Sequence, residues 1–168
     1  MKMLSTGNKN FHRGLTLVEV LVAASIILVF TVSLVGVYNL YLRIVFANSY
    51  TVKAAFLAEE GLEVMRFFRD VSWENNILTL SKDTDYGLTF DNLSNVWMAT
   101  TSIIFIDDQF ERRITVSDVY RDASSQIVTS GGSIDPDTIK ITSVVSWKRG
   151  SATTTKSIST YLTNIYDN

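Results

Sequence analysis

The chain contains no cysteine, which excludes disulfides, a thiol nucleophile and any thiolate metal site. An exported domain of this composition is held by packing alone. Proline occurs once, at Pro136, and histidine once, at His12. Neither a glycine-rich phosphate loop nor an H-E-x-x-H pattern occurs, so two common catalytic signatures are missing. Excess basic charge is also lacking. The net charge is −2, and residues 1–14 hold three of the 15 cations and no acid. The remaining 12 cations face 17 acids, a balance of −5, which makes nucleic acid a poor default partner. What is present is ordinary for a folded chain. Its 168 residues are 46% hydrophobic and 19% charged, enough for one domain with a modest core plus one further element.

The longest gap in charge is the most informative. Val20–Leu42 is a run of 23 residues without a charged side chain. As a helix it reaches about 35 Å, enough to cross a hydrocarbon core of about 30 Å. Lys2, Lys9 and Arg13 precede it and Arg43 follows it. The basic leader favours the cytoplasmic side, so the rest of the chain is expected outside. A secretory signal peptide fits poorly. The run exceeds the usual 7–15 residues of such a core, and no A-x-A site closes it. One residue resists any simple anchor: Glu19, at the front of RGLTLVEVLVAASIILVF. An acid in hydrocarbon costs about 2.5–3.5 kcal/mol even on lenient scales. A compensating cation is needed.

The helical pattern continues beyond the apolar run. In VKAAFLAEEGLEVMRFFRDVSW, apolar residues recur at Ala54, Leu57 or Ala58, Leu62, Met65 and Phe68, the spacing of one helix face. Glu59, Glu60, Glu63, Arg66 and Arg69 occupy the other faces, with Glu63–Arg66 and Arg66–Asp70 at pairing distance. No proline interrupts residues 15–70, so one long helix is expected, apolar in its first half and amphipathic in its second. Gly36, among β-branched neighbours, marks its weakest point, since glycine costs about 1 kcal/mol relative to alanine.

Beyond Trp73 the period changes to two. TTSIIFID, ERRITVSDVY, TIKITSVVSW and TKSISTYLTNI read as half-buried strands. KRGSAT, with Gly150, is a turn joining the last two as a hairpin; Ser130-Gly131-Gly132 and Asp135-Pro136-Asp137 are further turns. The expected fold is α+β: a long N-terminal helix whose amphipathic half covers an antiparallel sheet of about four strands. Residues 74–100 are left as a connection without assigned structure.

The stretch R-G-L-T-L-V-E-V-L-V-A resembles the class III leader junction of type IV pilins and pseudopilins. Glycine, glutamate and the apolar run stand in register behind a basic leader. The resemblance implies removal of residues 1–14 by prepilin peptidase after Gly14. It further implies methylation of the new amine on Leu15, a membrane-spanning and filament-core helix over 15–42, and an extracytoplasmic head over 43–168. That head comprises helix 43–72, a connecting region 73–100 and sheet 101–168. Leu15 departs from the family's usual phenylalanine at the first mature position. Gly36 stands where the family often has proline, in the segment that loses helicity in filaments. LAEEGLEVMRFFRD and the ending VVSWKRG…STYLTNIYDN are similar to PilV-like minor pilins, although the family's frequent C-terminal disulfide has no counterpart here. The implied partners are the peptidase, other pilin or pseudopilin subunits, the inner-membrane assembly platform and the membrane, with no cofactor.

Processing would resolve the problem of Glu19. Cleavage frees an ammonium on Leu15, and opposite charges at 4 Å gain about 4 kcal/mol at an effective dielectric near 20. Two partners stay open: the amine of a neighbouring subunit and the chain's own. A glycine at the cut offers no Cβ to obstruct the peptidase.

Rival functions are an anchored enzyme and a binding module. His12 lies in the segment expected to be removed, and the acid pairs Asp83/Asp85, Asp107/Asp108 and Asp135/Asp137 read as solvated turns. Asp83-x-Asp85-x-Gly87 resembles the start of a calcium loop, but its twelfth position is Ser94 rather than glutamate. Lys148 and Arg149 form only a two-charge patch, and Trp73, Trp97 and Trp147 read as core or interface residues. A type II secretion or competence pseudopilin shares the same N-terminal logic.

Overall fold

The computed structural model describes residue 14 and residues 16–166. The basic leader, His12 and Leu15 therefore lie outside the described residues. Helix α1 runs Leu17–Val71 without a break at Gly36. The chain divides into two compact units, Met1–Ala47 and Asn48–Asn168. In the first, α1 is apolar and exposed along nearly its whole length. Among the described residues it is the one helix long and apolar enough, by length and composition, to cross a membrane.

The second unit is an α+β domain. A single π-helical turn, Trp73–Ile77, follows α1, and the Ser72 hydroxyl caps it by accepting from the Asn75 amide at 3.2 Å. Seven strands then form one antiparallel sheet: β1 Asp85–Asp91, β2 Val96–Thr100, β3 Phe105–Ile106, β4 Phe110–Arg121, β5 Ile127–Val128, β6 Ser133–Arg149 and β7 Ala152–Thr163. The order across the sheet is β2-β1-β4-β6-β7, with β3 and β5 short additions to β4.

Seven strands replace the expected four or so. Strands β4 and β7 fall where period two placed them, but β6 starts at Ser133 and takes in Asp135-Pro136-Asp137, expected as a turn; these residues form an irregularity within the strand, between the pairs Tyr120↔Ile134 and Asp118↔Ile139. TTSIIFID, by contrast, contributes only the two residues of β3. The segment left unassigned holds a hairpin, β1–β2, paired from Gly87↔Thr100 to Asp91↔Val96. Its four-residue loop is built by Asp91, whose carboxylate accepts from the Leu93 amide and the Ser94 hydroxyl, and by Asn95 at φ 55°.

Side-chain alternation places the core. Phe110, Ile114 and Val116 point inward from β4, whereas Val119 keeps facing the core only because the register shifts between Asp118 and Tyr120. Ile139, Ile141, Val145 and Trp147 do the same from β6. Two clusters cover this face. Leu62, Met65 and Phe68 of α1 pack with Ile77, Ile114 and Ile141, and Ala54 and Ala58 pack with Phe110, Val145 and Trp147. The apolar face predicted for this half of α1 is the buried one, with Leu57 only half-buried and Gly61 added. Glu63 pairs with Arg66 as the spacing suggested, but Asp70 pairs with its neighbour Arg69 instead of Arg66.

The helix approaches the sheet most closely at Gly61. A Cβ built there would lie 2.8 Å from Ile114 Cδ1, 2.9 Å from Ser143 Oγ and 3.1 Å from Arg112 Cδ. Arg112, 3% exposed, donates to the Leu57 carbonyl at 3.1 Å and to Glu60 at 2.5 Å. The β6–β7 hairpin turns through Gly150 and Ser151, with Gly150 at φ 64°, the conformation a type II′ turn demands at its first central position.

Candidate functional site

The N-terminal residues that carry chemistry sit at the start of α1. Thr16 precedes the helix. Its carbonyl accepts from the Val20 amide at 3.2 Å, and its hydroxyl accepts from the Glu19 amide at 3.3 Å. Thr16 is thus an N-cap, satisfying one of the amides that a helix start leaves without a partner. Glu19 is the third helical residue. Thr-x-x-Glu is the capping-box pattern, and the hydroxyl half of that box is made here. A carboxylate in the first turn is also favoured by the helix dipole, by about 0.3–1 kcal/mol at an exposed site. The cap was legible in the sequence.

Gly14, just ahead of this cap, is exposed, and a Cβ there would meet nothing within 4 Å. Glu19 is exposed and forms no ion pair among the described residues. Gly14 thus stands before the helix and Glu19 in its first turn. Gly36 lies far along α1, also with open space about it.

The apolar stretch manages its polar atoms internally. Ser25 donates to the Leu21 carbonyl, Thr31 to Ile27 and Ser33 to Val29, each at 2.8 Å, and Asn39 donates to Val35 at 3.0 Å. Such bonds satisfy hydroxyl and amide groups where no water is available. Glu19 is the exception, because no described side chain answers its charge. An apolar surface this extensive calls for lipid or protein against it.

At least one carboxylate of each acid pair in the second unit is structurally occupied. Asp83 accepts from Ser117 at 2.7 Å, and Asp85 accepts from Thr115 at 2.8 Å and from Arg113 at 3.2 Å. Gly87, the third member of the calcium-like pattern, lies within strand β1 rather than in a loop. Asp107 and Asp108 form a turn at φ 49° and 53°, and Asp107 pairs with Lys53 at 2.5 Å. Among the described residues no three His, Cys, Asp or Glu side chains form a metal-sized cluster.

Asp135 accepts from Arg121 at 2.5 Å. That bond, above all, holds its carboxyl below the ordinary 3.8, with Thr138 and the Asp137 amide adding to the effect against the cost of burial. A depressed folded-state value stabilises the fold above the unfolded value and loses that contribution as pH falls. The domain is therefore expected to weaken below about pH 4. In Asp135→Asn this part of the acid slope should flatten, as thermal melts from pH 6 to pH 2 would show. An unchanged slope would remove Asp135 from the account.

The prokaryotic N-terminal methylation motif matches residues 9–35. It encloses Gly14, Leu15, Thr16, Glu19 and most of the uncharged run. This match supports a subunit of the type IV pilin and pseudopilin class, made to be processed by prepilin peptidase and assembled with other pilins. The helix-on-antiparallel-sheet architecture agrees with the pilin fold. No curated protein and no solved structure matches the chain.

Proposed function

We propose that the chain is a minor, PilV-like type IV pilin, a structural subunit rather than an enzyme. Prepilin peptidase removes residues 1–14, cutting after Gly14, and the Leu15 amine is methylated. Residues 15–42 hold the subunit in the inner membrane with the N-terminus inside and residues 43–168 outside. The assembly platform then moves it into a pilus or its tip complex. Glu19 sets the register by pairing with the N-terminal amine of a neighbouring subunit. Gly36 is where α1 loosens in the filament. Glycine's low helix propensity among β-branched neighbours supports this role.

One observation carries the reading. Within the methylation motif, an unanswered carboxylate occupies the first turn of a helix that is otherwise apolar and bare. A buried ion pair adds little net affinity, but a misaligned one leaves an uncompensated charge. Such a pair selects register.

The test is the mass of the mature N-terminus in cells that carry a prepilin peptidase. The expected species begins at methylated Leu15. In Gly14→Val a β-branched side chain stands where the peptidase must approach, and the full-length chain is expected to persist. A mature species starting elsewhere, or normal shortening of Gly14→Val, would overturn the assignment.

A further inference from the structure

The Thr16 cap bears on the removal of the leader as well as on the helix. α1 starts at Leu17, just downstream of Gly14, and the methylation motif encloses both residues. Gly14 lies outside the helix and is exposed, with open space where a Cβ would stand. Among the described residues, the Val18 amide makes no bond to the Gly14 carbonyl. A longer helix would add that bond, because each helical amide bonds the carbonyl four residues back.

A second helix start is therefore close by. Glycine is about as good an N-cap as threonine, and both are far better than alanine or valine. With Gly14 as the cap, Leu15 and Thr16 would join the helix and the Gly14 carbonyl would accept from Val18. Thr16 decides against this start. Its hydroxyl accepts from the Glu19 amide at 3.3 Å and its carbonyl from the Val20 amide at 3.2 Å. These bonds place Thr16 at the boundary, outside the turns it caps. The difference matters to a hydrolase. Cleavage breaks the Gly14–Leu15 amide: water adds its hydroxyl to the Gly14 carbonyl carbon, and the Leu15 nitrogen takes the proton and leaves as the amine. That attack needs an unshielded carbonyl. One inside a helical turn is already bonded and is crowded by the residues after it.

We propose that Thr16 is a positioning residue for leader removal, holding the start of α1 at Leu17 so that the Gly14 carbonyl stays outside the helix and open to prepilin peptidase. The proposal rests on the reading that the chain is cut after Gly14. Thr16 touches no reacting atom and acts through the backbone it caps. Chains with the longer helix must unwind their first turn before they can be cut. Loss of the cap thus lowers the competent fraction, raising the apparent KM and sparing kcat. Given time, such chains are still cut to completion, so the rate is what reports the cap.

The test uses the full-length chain and purified prepilin peptidase in the same detergent micelles, with initial rates of leader loss read by mass. Thr16→Val keeps the shape of threonine and loses the hydroxyl, whereas Thr16→Asn changes the shape and keeps a strong cap. Thr16→Val is expected to be cut about twofold to fivefold more slowly, through KM, and Thr16→Asn at close to the native rate. Hydrogen exchange at the Val18 amide gives a readout independent of the enzyme. It should slow in Thr16→Val and stay fast in Thr16→Asn. A native KM in Thr16→Val, or equal Val18 exchange in all three chains, overturns the positioning role and leaves the pilin reading standing. Slow cleavage of Thr16→Asn despite fast Val18 exchange means that the peptidase reads the threonine shape itself, which also overturns it. A native chain left uncut, or cut elsewhere, sinks the pilin reading and this proposal with it.

Discussion

Glu19→Gln is expected to enter the membrane and lose its leader normally, yet to be incorporated into filaments at least about tenfold less than the native subunit. The reason lies in what this substitution spares. Glutamine serves as well as glutamate at the third position of a capping box. The bond from the Glu19 amide to the Thr16 hydroxyl uses backbone and Thr16 only, so the helix start survives. Only the negative charge disappears. An attraction of about 4 kcal/mol at 4 Å, partly offset by desolvation, leaves ample room for the 1.4 kcal/mol that makes a tenfold change. Thr16→Ala is the complementary control. It removes a cap contributing about 1 kcal/mol and keeps the charge, so assembly should suffer less. Filament fractions probed for the subunit would decide the matter. Equal incorporation of Glu19→Gln and native protein would remove the electrostatic account of register.

Gly61→Val is expected to destabilise the second unit by about 3 kcal/mol or more. The first added carbon already sits at 2.8–3.1 Å from Ile114, Ser143 and Arg112, and the two γ-methyl groups have nowhere to go without lifting α1 off β4 and β6. Overpacking alone costs about 1–3 kcal/mol. Displacing Arg112 adds to this, because its bonds to Leu57 and Glu60 depend on the helix staying close. The better helix propensity of valine over glycine, a few tenths of a kcal/mol, offsets little. Urea unfolding with a tryptophan fluorescence readout would measure the loss. Ser143→Ala in the same chain should recover part of it, since the Ser143 hydroxyl is buried without a hydrogen-bond partner and crowds this spot. A Gly61→Val midpoint equal to that of the native chain would mean the helix stands off the sheet.

What could be read from sequence followed the strength of the periodic signal. α1 was legible because 55 residues carry either an unbroken apolar run or a repeat of three to four. The β6–β7 hairpin was legible because a glycine sits in a two-residue turn between long alternating strands. The β1–β2 hairpin was not. DYGLTFD and VWMAT do not alternate cleanly, and β1 meets β4 through only Asp85 and Tyr86, so its pattern answers mainly to its partner hairpin strand. TTSIIFID misled for the opposite reason. Its β-branched residues suit a strand, but Ser102 and Ile103 instead pass against the bare backbone of Gly87, the Ser102 carbonyl oxygen 2.6 Å and Ile103 Cα 3.4 Å from where a Cβ would stand. At the N-terminal site, the charge of Glu19 was read and the cap of Thr16 was not.

The serine, threonine and asparagine bonds along the first half of α1 have a further consequence. Each of those groups finds its partner one turn back on the same helix, so none depends on a particular neighbour. Exchanging lipid tails for other helices around this segment breaks none of these bonds. These four polar side chains therefore make the same bonds whichever apolar surroundings the segment meets.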